Sequence, residues 1–382
     1  MLKTRLAAAS AIAASVLLAT PAVAHAGGPK PPTPGGNTTM TVIASGLDNP
    51  RGLSMGNGGT LYVAEAGLGS GSAATGVQAG LGQTGAITAV ARAGSANPGQ
   101  ARIATGLWSA ASDEGNGLEA IGLDGISAYG SGTHSGVVGV YGTGGVPGTD
   151  LGNVVAYPAR GAAKTLGAVG AADLAWTGAH ASDPWAPAGQ FPDANPYGVL
   201  VTGGHTYVVD AASNTLDEVL ADGTVQILAY IPNTPISDAV PTCVAKGPDG
   251  ALYVGTLALA DFFAHGPGTA TVYRVDPATT NPADLATVLS AATVWATGLS
   301  TVTGCTFSQA GDFYAAEMFT GDVVKVPFAH PATGRTVIGA GQLVLPNGVA
   351  VDKNGAIYVS DHSDATTAGA GRVVRYRTGG KH

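Results

Sequence analysis

A short strand pattern built around one tyrosine recurs along this chain and constrains its fold more than any other sequence feature. Five copies centre on Tyr62, Tyr207, Tyr253, Tyr314 and Tyr358, and a degenerate sixth copy contains Tyr129. Neighbouring copies are 44 to 78 residues apart. Repeats of roughly 40 to 60 residues made of short strands are typical of a β-propeller. The sequence therefore predicts an all-β, six-bladed propeller whose second blade is the least regular.

Each repeat contains the residues expected of a four-stranded antiparallel blade. The innermost strand begins with a Pro-x-Gly motif in Pro50–Gly52, Pro196–Gly198 and Pro346–Gly348. A turn rich in Gly, Asp and Asn follows, and these residue types supply the positive φ that tight hairpins need. The tyrosine strand is second. Two further strands complete the blade, and in Thr224–Tyr230 the apolar residues alternate as a strand requires.

A second recurring sequence motif predicts how the ring closes. The pattern Ala-Ser/Thr-Gly-Leu ends a fourth strand at Ala104–Leu107 and Ala296–Leu299, and it also occurs at Ala44–Leu47, before any complete repeat. The last repeat stops after its third strand, Arg372–Arg377. We therefore expect Met40–Ala44 to supply the missing fourth strand, which removes the exposed sheet edges of an open array.

The N-terminal residues have the features of a targeting segment. Lys3 and Arg5 precede an apolar stretch at 6–18, and Ala24–Ala26 forms a cleavage motif. The stretch is too short to span a membrane. We expect residues 1–26 to be a signal peptide, 27–38 a disordered Gly/Pro linker, and 39–382 a single propeller. This organisation predicts a monomer without a membrane anchor, exported to the periplasm or cell envelope or secreted.

Composition limits the classes of partner. The 59 glycines and 23 prolines suit a chain that turns every few residues, and a hydrophobic content of 45% is too high for disorder. Charged residues make up only 11%, with a net charge of −8. This balance argues against nucleic acid or an anionic membrane as partner.

The two cysteines fall in adjacent repeats, one position apart in the repeat frame. Cys243 and Cys305 both lie near the start of an innermost strand. In an oxidising compartment they can form a disulfide, and the alternative is two small buried apolar side chains. The sequence leaves both open.

The long insertions are distributed unequally among the connections. They join a second strand to a third, or a fourth strand to the next blade, at 66–84, 130–152, 176–195, 256–268 and 362–371. In an up-and-down blade both connection types emerge on one face, here named the decorated face. Loops on a rigid scaffold commonly carry function, so we expect the site at this face.

Acidic and amide side chains are expected to collect there. The tyrosine strands of four blades end in the carboxylates Glu65, Asp210, Glu317 and Asp361. Asn49, Asn195 and Asn347 lie where innermost strands begin and are candidate ligand-binding residues. Such oxygens suit Ca²⁺ or another divalent cation. A carboxylate at a strand end also caps turns by accepting backbone N–H bonds, and both interpretations remain open.

Two further groups are weaker candidates. Trp185, with Trp176, lies in the insertion before blade 3 and either lines a ligand groove or covers the ring as packing. The run Asp361–Asp364 has the residue types of a catalytic triad. Contiguous loop residues cannot all face one another as nucleophile, base and orienting group, so this run does not predict catalysis.

Several sequence segments indicate a particular family more specifically than the general propeller pattern does. Ala44–Leu53 with Leu61–Gly67, Asp193–Gly198, and Val240–Gly255 resemble the ScyD/ScyE family of exported bacterial propellers, and the similarity extends from Met40 to Arg377. The repeats are more distantly similar to NHL, gluconolactonase and streptogramin-lyase propellers. The gluconolactonase resemblance implies an axial divalent metal that activates water. Glu65 and Asp361 fall where that class places carboxylate ligands, while a complete ligand set is not matched.

Two functions follow from these observations. The first is a binding module that presents the decorated face to a small molecule, a glycan or an exported protein, with no certain cofactor. The alternative is a lactonase-like hydrolase or lyase at the axial channel mouth. In that alternative Ca²⁺ or another divalent metal polarises a carbonyl and lowers the pKa of bound water.

Overall fold

The computed structural model describes residues 33–34, 38–70, 80–111, 119–234, 238–364 and 367–378. The expected signal peptide lies outside these residues. Within the expected linker, Thr33–Pro34 pairs in parallel with Thr336–Val337.

Six antiparallel sheets form the fold, each with its strands in up-and-down order. Blade 1 contains Pro50–Met55, Leu61–Glu65, Gly82–Ala91 and Gly99–Ser109; blade 2 contains Leu123–Tyr129, Gly136–Tyr141, Val154–Pro158 and Lys164–Gly167; blade 3 contains Pro196–Thr202, His205–Asp210, Thr215–Val219 and Val225–Tyr230. Blade 4 contains Pro241–Lys246, Leu252–Thr256, Ala270–Val275 and Thr293–Leu299; blade 5 contains Val302–Phe307, Phe313–Glu317, Asp322–Val326 and Thr336–Ile338; blade 6 contains Val349–Val351, Ile357–Asp361, Gly371–Thr378 and Thr38–Leu47. The predicted six-bladed propeller of four-stranded blades is confirmed.

The ring closes through the first long strand of the chain. Thr38–Leu47 is the outermost strand of blade 6, where Met40 lies opposite Tyr376 and Ala44 opposite Val373. Leu47 is fully buried. The predicted closure by Met40–Ala44 is therefore confirmed.

Blade 2 differs from the predicted pattern. Tyr129 ends the innermost strand Leu123–Tyr129, and the second strand is Gly136–Tyr141. Placing Tyr129 on a second strand was wrong, because the chain turns through the 3-10 helix Gly132–His134 and the buried run at 136–141 pairs back along the inner strand. The insertion at 130–152 therefore contains a strand, and the connection to the third strand is only 142–153.

Three short α-helices occupy the connections in the residues that the structure describes. Val169–His180 joins blades 2 and 3, and Leu259–His265 follows the second strand of blade 4, so both lie at the decorated face. Leu285–Ser290 joins the third and fourth strands of blade 4 and lies at the opposite face. Most of the long connections therefore lie at the decorated face, and one long connection lies at the opposite face. In the described part of the chain, no helix is long and apolar enough to cross a membrane.

The innermost strands approach one another closely around the axis. A Cβ atom added to Gly125 would lie 2.5 Å from the carbonyl oxygen of Tyr197, and one added to Gly348 would lie 2.5 Å from the carbonyl oxygen of Arg51. Only glycine fits such contacts. These glycines therefore fix the positions of the residues that precede them, which line the channel mouth.

Candidate functional site

The same irregularity occurs near the start of the innermost strand in five blades. The pairing register shifts between Pro50 and Leu53, Leu123 and Gly125, Pro196 and Gly198, Pro241 and Cys243, and Val302 and Gly304. A β-bulge of this kind re-aims a side chain and is common beside functional sites. The residues at these shifts, with the one before Gly348 in blade 6, form the axial ring. Its members are Arg51, Asp124, Tyr197, Thr242, Thr303 and Asn347.

A cavity of about 60 Å³ lies on the axis, lined by the innermost strands of all six blades. A cavity of about 10–15 Å³ is enough to hold one water molecule, so this space suits a small occupant. Thr242 donates a hydrogen bond to the carbonyl oxygen of Val302 (2.6 Å), and Thr303 donates to that of Pro346 (3.0 Å). These hydroxyls tie neighbouring blades together. The other four ring members, named the axial polar group, supply the chemistry.

The axial polar group joins four blades. Asp124, Tyr197 and Asn347 line the cavity, and the Arg51 guanidinium contacts the first two. Asn347 Nδ2 donates a hydrogen bond to the Tyr197 hydroxyl, and Arg51 Nη2 donates to the carbonyl oxygen of Ala120 (2.9 Å). Arg51, Asp124 and Asn347 are 7%, 3% and 1% exposed. Tyr197 is half-buried.

Two charged atoms of this group have unused hydrogen-bonding capacity. Arg51 Nε lies 3.9 Å from Asp124 Oδ1, too far for a hydrogen bond. Both atoms are buried and neither has another hydrogen-bond partner. Leaving a buried polar atom unpaired costs about 1–3 kcal/mol, and more for a charged group. The geometry therefore favours a small polar occupant that contacts both atoms.

Burial controls the ionisation of these side chains. It raises the pKa of Asp124 to about 7, although Arg51 and the backbone N–H groups of Gly122 and Gly142 act to lower it. Burial also raises the pKa of Tyr197, so its phenol is neutral. For Arg51, burial lowers the pKa, but Tyr197, Asp124 and Asp364 outweigh it and the net shift is upward. The site therefore holds a permanent cation beside a carboxyl group that titrates near neutral pH.

The four predicted carboxylates are placed differently. Each ends a second strand and accepts a backbone N–H from the segment before its own innermost strand. Those bonds run from Asp48 to Glu65 (2.9 Å), Asn195 to Asp210 (2.7 Å), Ser300 to Glu317 (2.8 Å) and Val344 to Asp361 (2.6 Å). Each bond ties the end of a second strand to the segment before the innermost strand of the same blade. Glu65 and Asp361 are also paired, with Arg102 (2.5 Å) and Arg372 (2.6 Å).

The predicted metal ligands do not converge on one point. Among the residues that the structure describes, no group of three or more His, Cys, Asp or Glu side chains is arranged to hold a metal ion. The arginines paired with Glu65 and Asp361 occupy oxygens that a cation would need. The local turn-capping alternative therefore accounts for the contacts of these four residues.

The predicted amide residues separate into two kinds. Asn49 Nδ2 donates to the carbonyl oxygen of Gly67 (2.9 Å), and Asn195 Oδ1 accepts from the backbone N–H of Thr143 (2.8 Å). Both bonds hold loops. Asn347 alone among the three lines the axial cavity.

Trp185 belongs to an aromatic cluster formed by residues of the insertion before blade 3 and by Tyr230 of that blade. Its ring lies 5.6 Å from that of Trp176 and 5.2 Å from that of Tyr230, with Phe191 at 5.9 Å. Its Nε1 donates to Asp183 Oδ2 (3.1 Å). The cluster packs the insertion against blade 3, and none of its rings lines the axial cavity.

Cys243 and Cys305 are joined by a disulfide, with their Cα atoms 5.7 Å apart. Cys243 occupies the place that Gly52, Gly125 and Gly198 take in the first three blades. Both sulfur-bearing residues line the axial cavity. The bridge therefore ties blades 4 and 5 beside the site.

A second buried acidic group was missed by the sequence analysis. Asp173 on the helix Val169–His180 and Asp217 on the third strand of blade 3 are fully buried near Asp210. Burial raises the pKa of both well above the usual range, and the charge of the neighbouring carboxylates raises it further. Thr215 donates to Asp217 Oδ2 (3.0 Å). This group retains protons where exposed carboxyl groups would lose them.

The signal for the axial polar group was present in the repeat motif. The middle residue of Pro-x-Gly is Arg51, Tyr197 or Asn347, and Asp124 has the equivalent position in blade 2. The sequence pattern nominates only Asn347 among these four as a ligand-binding residue, because the Pro-x-Gly motif indicates the start of an innermost strand. Variation at a fixed position within an otherwise uniform repeat is the pattern that would have identified the other three.

Comparisons with known proteins agree with this architecture. Solved structures with the same fold include the PQQ-bound aldose sugar dehydrogenase of Streptomyces coelicolor (14% identity, TM-score 0.54, covering 90% of this chain and 99% of that one). A luciferin-regenerating enzyme (11%, 0.51, 90% and 96%) and a gluconolactonase of Xanthomonas campestris (11%, 0.50, 90% and 91%) are also similar. At these identities the likeness shows the fold alone.

Sequence comparison gives the family. No curated protein matches the chain significantly. The family model described as the SMP-30/gluconolactonase/LRE-like region matches residues 178–382, more than half of the chain. The chain therefore belongs to the SMP-30/gluconolactonase/LRE-like family.

Proposed function

We propose that this protein is an exported binding propeller of the ScyD/ScyE type, which holds a small polar molecule at the axial mouth of its decorated face. The axial polar group makes the site. The observation that carries the proposal is the separation of 3.9 Å between Arg51 Nε and Asp124 Oδ1, two buried atoms without other hydrogen-bond partners. A bound molecule that contacts both offsets the cost of leaving them unpaired.

The charge at the mouth disfavours the metal-dependent alternative. Arg51 is permanently charged, and a divalent cation on the axis would be repelled by it across a low-dielectric cavity. Glu65 and Asp361, the candidate ligands, are already held by Arg102 and Arg372. The residues present therefore do not fit a cation-assisted hydrolase or lyase, and we derive no catalytic step through a metal.

The proposal of export draws on two features. Residues 1–26 have the composition of a signal peptide. The Cys243–Cys305 disulfide suits an oxidising compartment, because the cytosol keeps most thiols reduced. A small-molecule ligand is favoured over a glycan or a protein, because the two unpaired atoms are buried and the axial cavity that Asp124 lines has a volume of only about 60 Å³.

Thermal-shift measurements with a panel of small polar compounds test the binding function. We expect at least one compound to raise the melting temperature of the wild type and of Arg274→Met, which removes a surface ion pair with Asp249. The same compound should not stabilise Arg51→Met. Tyr197→Phe, which removes one hydroxyl, should reduce the shift and covers the case in which Arg51→Met fails to fold.

Metal analysis distinguishes the binding function from the metal-dependent alternative. Near-stoichiometric Ca, Mg, Mn or Zn in natively purified protein, together with loss of that metal in Glu65→Gln and Asp361→Asn, would overturn the proposal in favour of a metal-dependent enzyme. Equal stabilisation of wild type and Arg51→Met by every active compound would also contradict it.

A further inference from the structure

The unpaired atoms of Arg51 and Asp124 define the chemistry of whatever bridges them. Arg51 Nε carries a hydrogen and can only donate. Asp124 Oδ1 accepts when the carboxyl group is ionised and can donate when it is protonated. The bridging species must therefore always accept from Arg51, while its relation to Asp124 depends on one proton.

Two occupied states satisfy both atoms. With Asp124 ionised, a water molecule accepts from Arg51 Nε and donates to Asp124 Oδ1. With Asp124 protonated, an anion accepts from both. In each state the net charge of the buried assembly is zero, because either the carboxylate or the anion neutralises the guanidinium. Burying a net charge is costly, so mixed states such as an anion beside an ionised Asp124 are disfavoured.

We propose that the ligand of this site is a small monovalent anion, which displaces water between Arg51 and Asp124 and binds when the Asp124 carboxyl group is protonated. This inference rests on the proposed binding function and names its ligand class. The anion accepts hydrogen bonds from Arg51 Nε and from the protonated Asp124 carboxyl. Tyr197, whose oxygen accepts from Asn347, keeps its own O–H available as a third donor.

The groups that surround Asp124 support this assignment. Arg51 from blade 1 faces it at 3.9 Å, and the neutral Tyr197 lies beside it from blade 3. Gly122 and Gly142 contribute backbone N–H groups. Asp364 from blade 6 acts on Arg51, and its Oδ1 accepts the backbone N–H of Glu119 (2.8 Å). Arg51 is the one permanent cation among these residues.

The titration of Asp124 falls in a useful range. Because burial raises its pKa to about 7, the proton needed for anion binding is already present below neutral pH. Above pH 7 it must be taken from solvent. Anion affinity is then expected to fall about tenfold per pH unit, the dependence for uptake of one proton.

Formate is the probe that fits this site, because it has three heavy atoms and one charge. Binding of ¹³C-formate is measured by NMR titration of the purified protein at about pH 6, 7 and 8.5, with the pH steps set by the one-proton dependence. Formamide, which has the same shape without the charge, is the matched control ligand. We expect formate to bind more tightly than formamide at the lowest pH and to weaken about tenfold per unit above pH 7.

Two variants separate the contributions. Asp124→Asn presents an N–H where the protonated carboxyl would donate, so it should bind formate with an affinity that no longer changes with pH. Arg51→Met should lose formate binding at every pH. Asp222→Asn, at an exposed turn, should behave as the wild type.

The outcomes distinguish this inference from the function on which it rests. Formamide binding as tightly as formate, or wild-type affinity for formate that is constant between the lowest and highest pH, would overturn the anion assignment. If a neutral compound then binds in an Arg51-dependent way, the binding function survives with a different ligand class. If neither formate nor any compound of the panel binds, both fail.

Discussion

The Tyr197 hydroxyl accepts a hydrogen bond from Asn347 Nδ2 across the propeller axis. The two residues belong to blades 3 and 6, which face each other in a ring whose blades follow chain order. Their bond is a direct link across the channel, and Arg51 and Asp124 from blades 1 and 2 lie beside it. The axial site is therefore assembled only when the whole ring is closed.

This cross-axis bond should contribute to stability in a pairwise way. Tyr197→Phe should lower the free energy of unfolding by about 1–2 kcal/mol, because the buried Asn347 amide loses its partner. Removing both partners in Tyr197→Phe/Asn347→Leu should cost less than the sum of the single changes. Urea unfolding of the three variants measures this coupling. Strict additivity of the two changes would show that the bond is not formed.

Glu65 should stabilise the fold by holding together segments of blade 1. It is fully buried and holds Asp48, Thr88 and Arg102, so Glu65→Ala should lower the free energy of unfolding by about 3 kcal/mol. Glu218→Ala is the matched control, because its partner His205 is exposed, and it should cost less than about 1 kcal/mol. Denaturant unfolding compares them. Equal, small losses of unfolding free energy in the two variants would contradict this structural role of Glu65.

The buried group of Asp173, Asp210 and Asp217 should make stability depend on pH. Its carboxyl groups have raised pKa values, so the folded protein binds more protons than the unfolded chain above about pH 4, the usual Asp value. Stability should therefore fall as the pH rises from there, by about 1.4 kcal/mol per unit for each extra proton.

Asp217→Asn tests this assignment, since the amide is neutral at every pH. The variant should be more stable than the wild type at neutral pH and should show a shallower slope of unfolding free energy against pH. Asp222→Asn, at an exposed turn, should leave the slope unchanged. A slope in Asp217→Asn as steep as in the wild type would rule out this group as its source.

The Cys243–Cys305 bridge should stabilise the propeller by restricting the unfolded chain. It closes a loop of 62 residues, for which loop-closure entropy gives about 4 kcal/mol. Cys243→Ser/Cys305→Ser should lose stability of this order in denaturant unfolding. Thiol titration of unfolded, unreduced wild type should find no free thiol. Two reactive thiols would contradict the bridge.

The repeat pattern was sufficient for the fold and insufficient for the site. Tyr62, Tyr207, Tyr253, Tyr314 and Tyr358 lie on or at second strands as predicted, because a buried strand beside a glycine turn is specified locally. Tyr129 was misplaced, since blade 2 keeps its tyrosine, Tyr141, at the end of the second strand instead. Local pattern cannot distinguish neighbouring strands of similar composition.

Predicting the site required knowledge of where each side chain points. The spacing of residues along the sequence does not contain that information. Glu65 and Asp361 end their strands where expected, yet Arg102 on the fourth strand of blade 1 and Arg372 on the third strand of blade 6 neutralise them. Arg51 was visible in the Pro-x-Gly motif, but its meeting with Asp124 depends on a bulge in each of two blades. Such a bulge is a departure from the regular pairing that periodicity detects.

The central claim is that Arg51 and Asp124 are held apart to receive a small molecule. A high-resolution crystal structure, grown near pH 6 with formate in the solution, tests it most directly. We predict that Arg51 Nε and Asp124 Oδ1 remain too far apart for a hydrogen bond, with density for formate contacting both. A direct Arg51–Asp124 hydrogen bond with nothing between them would contradict the account.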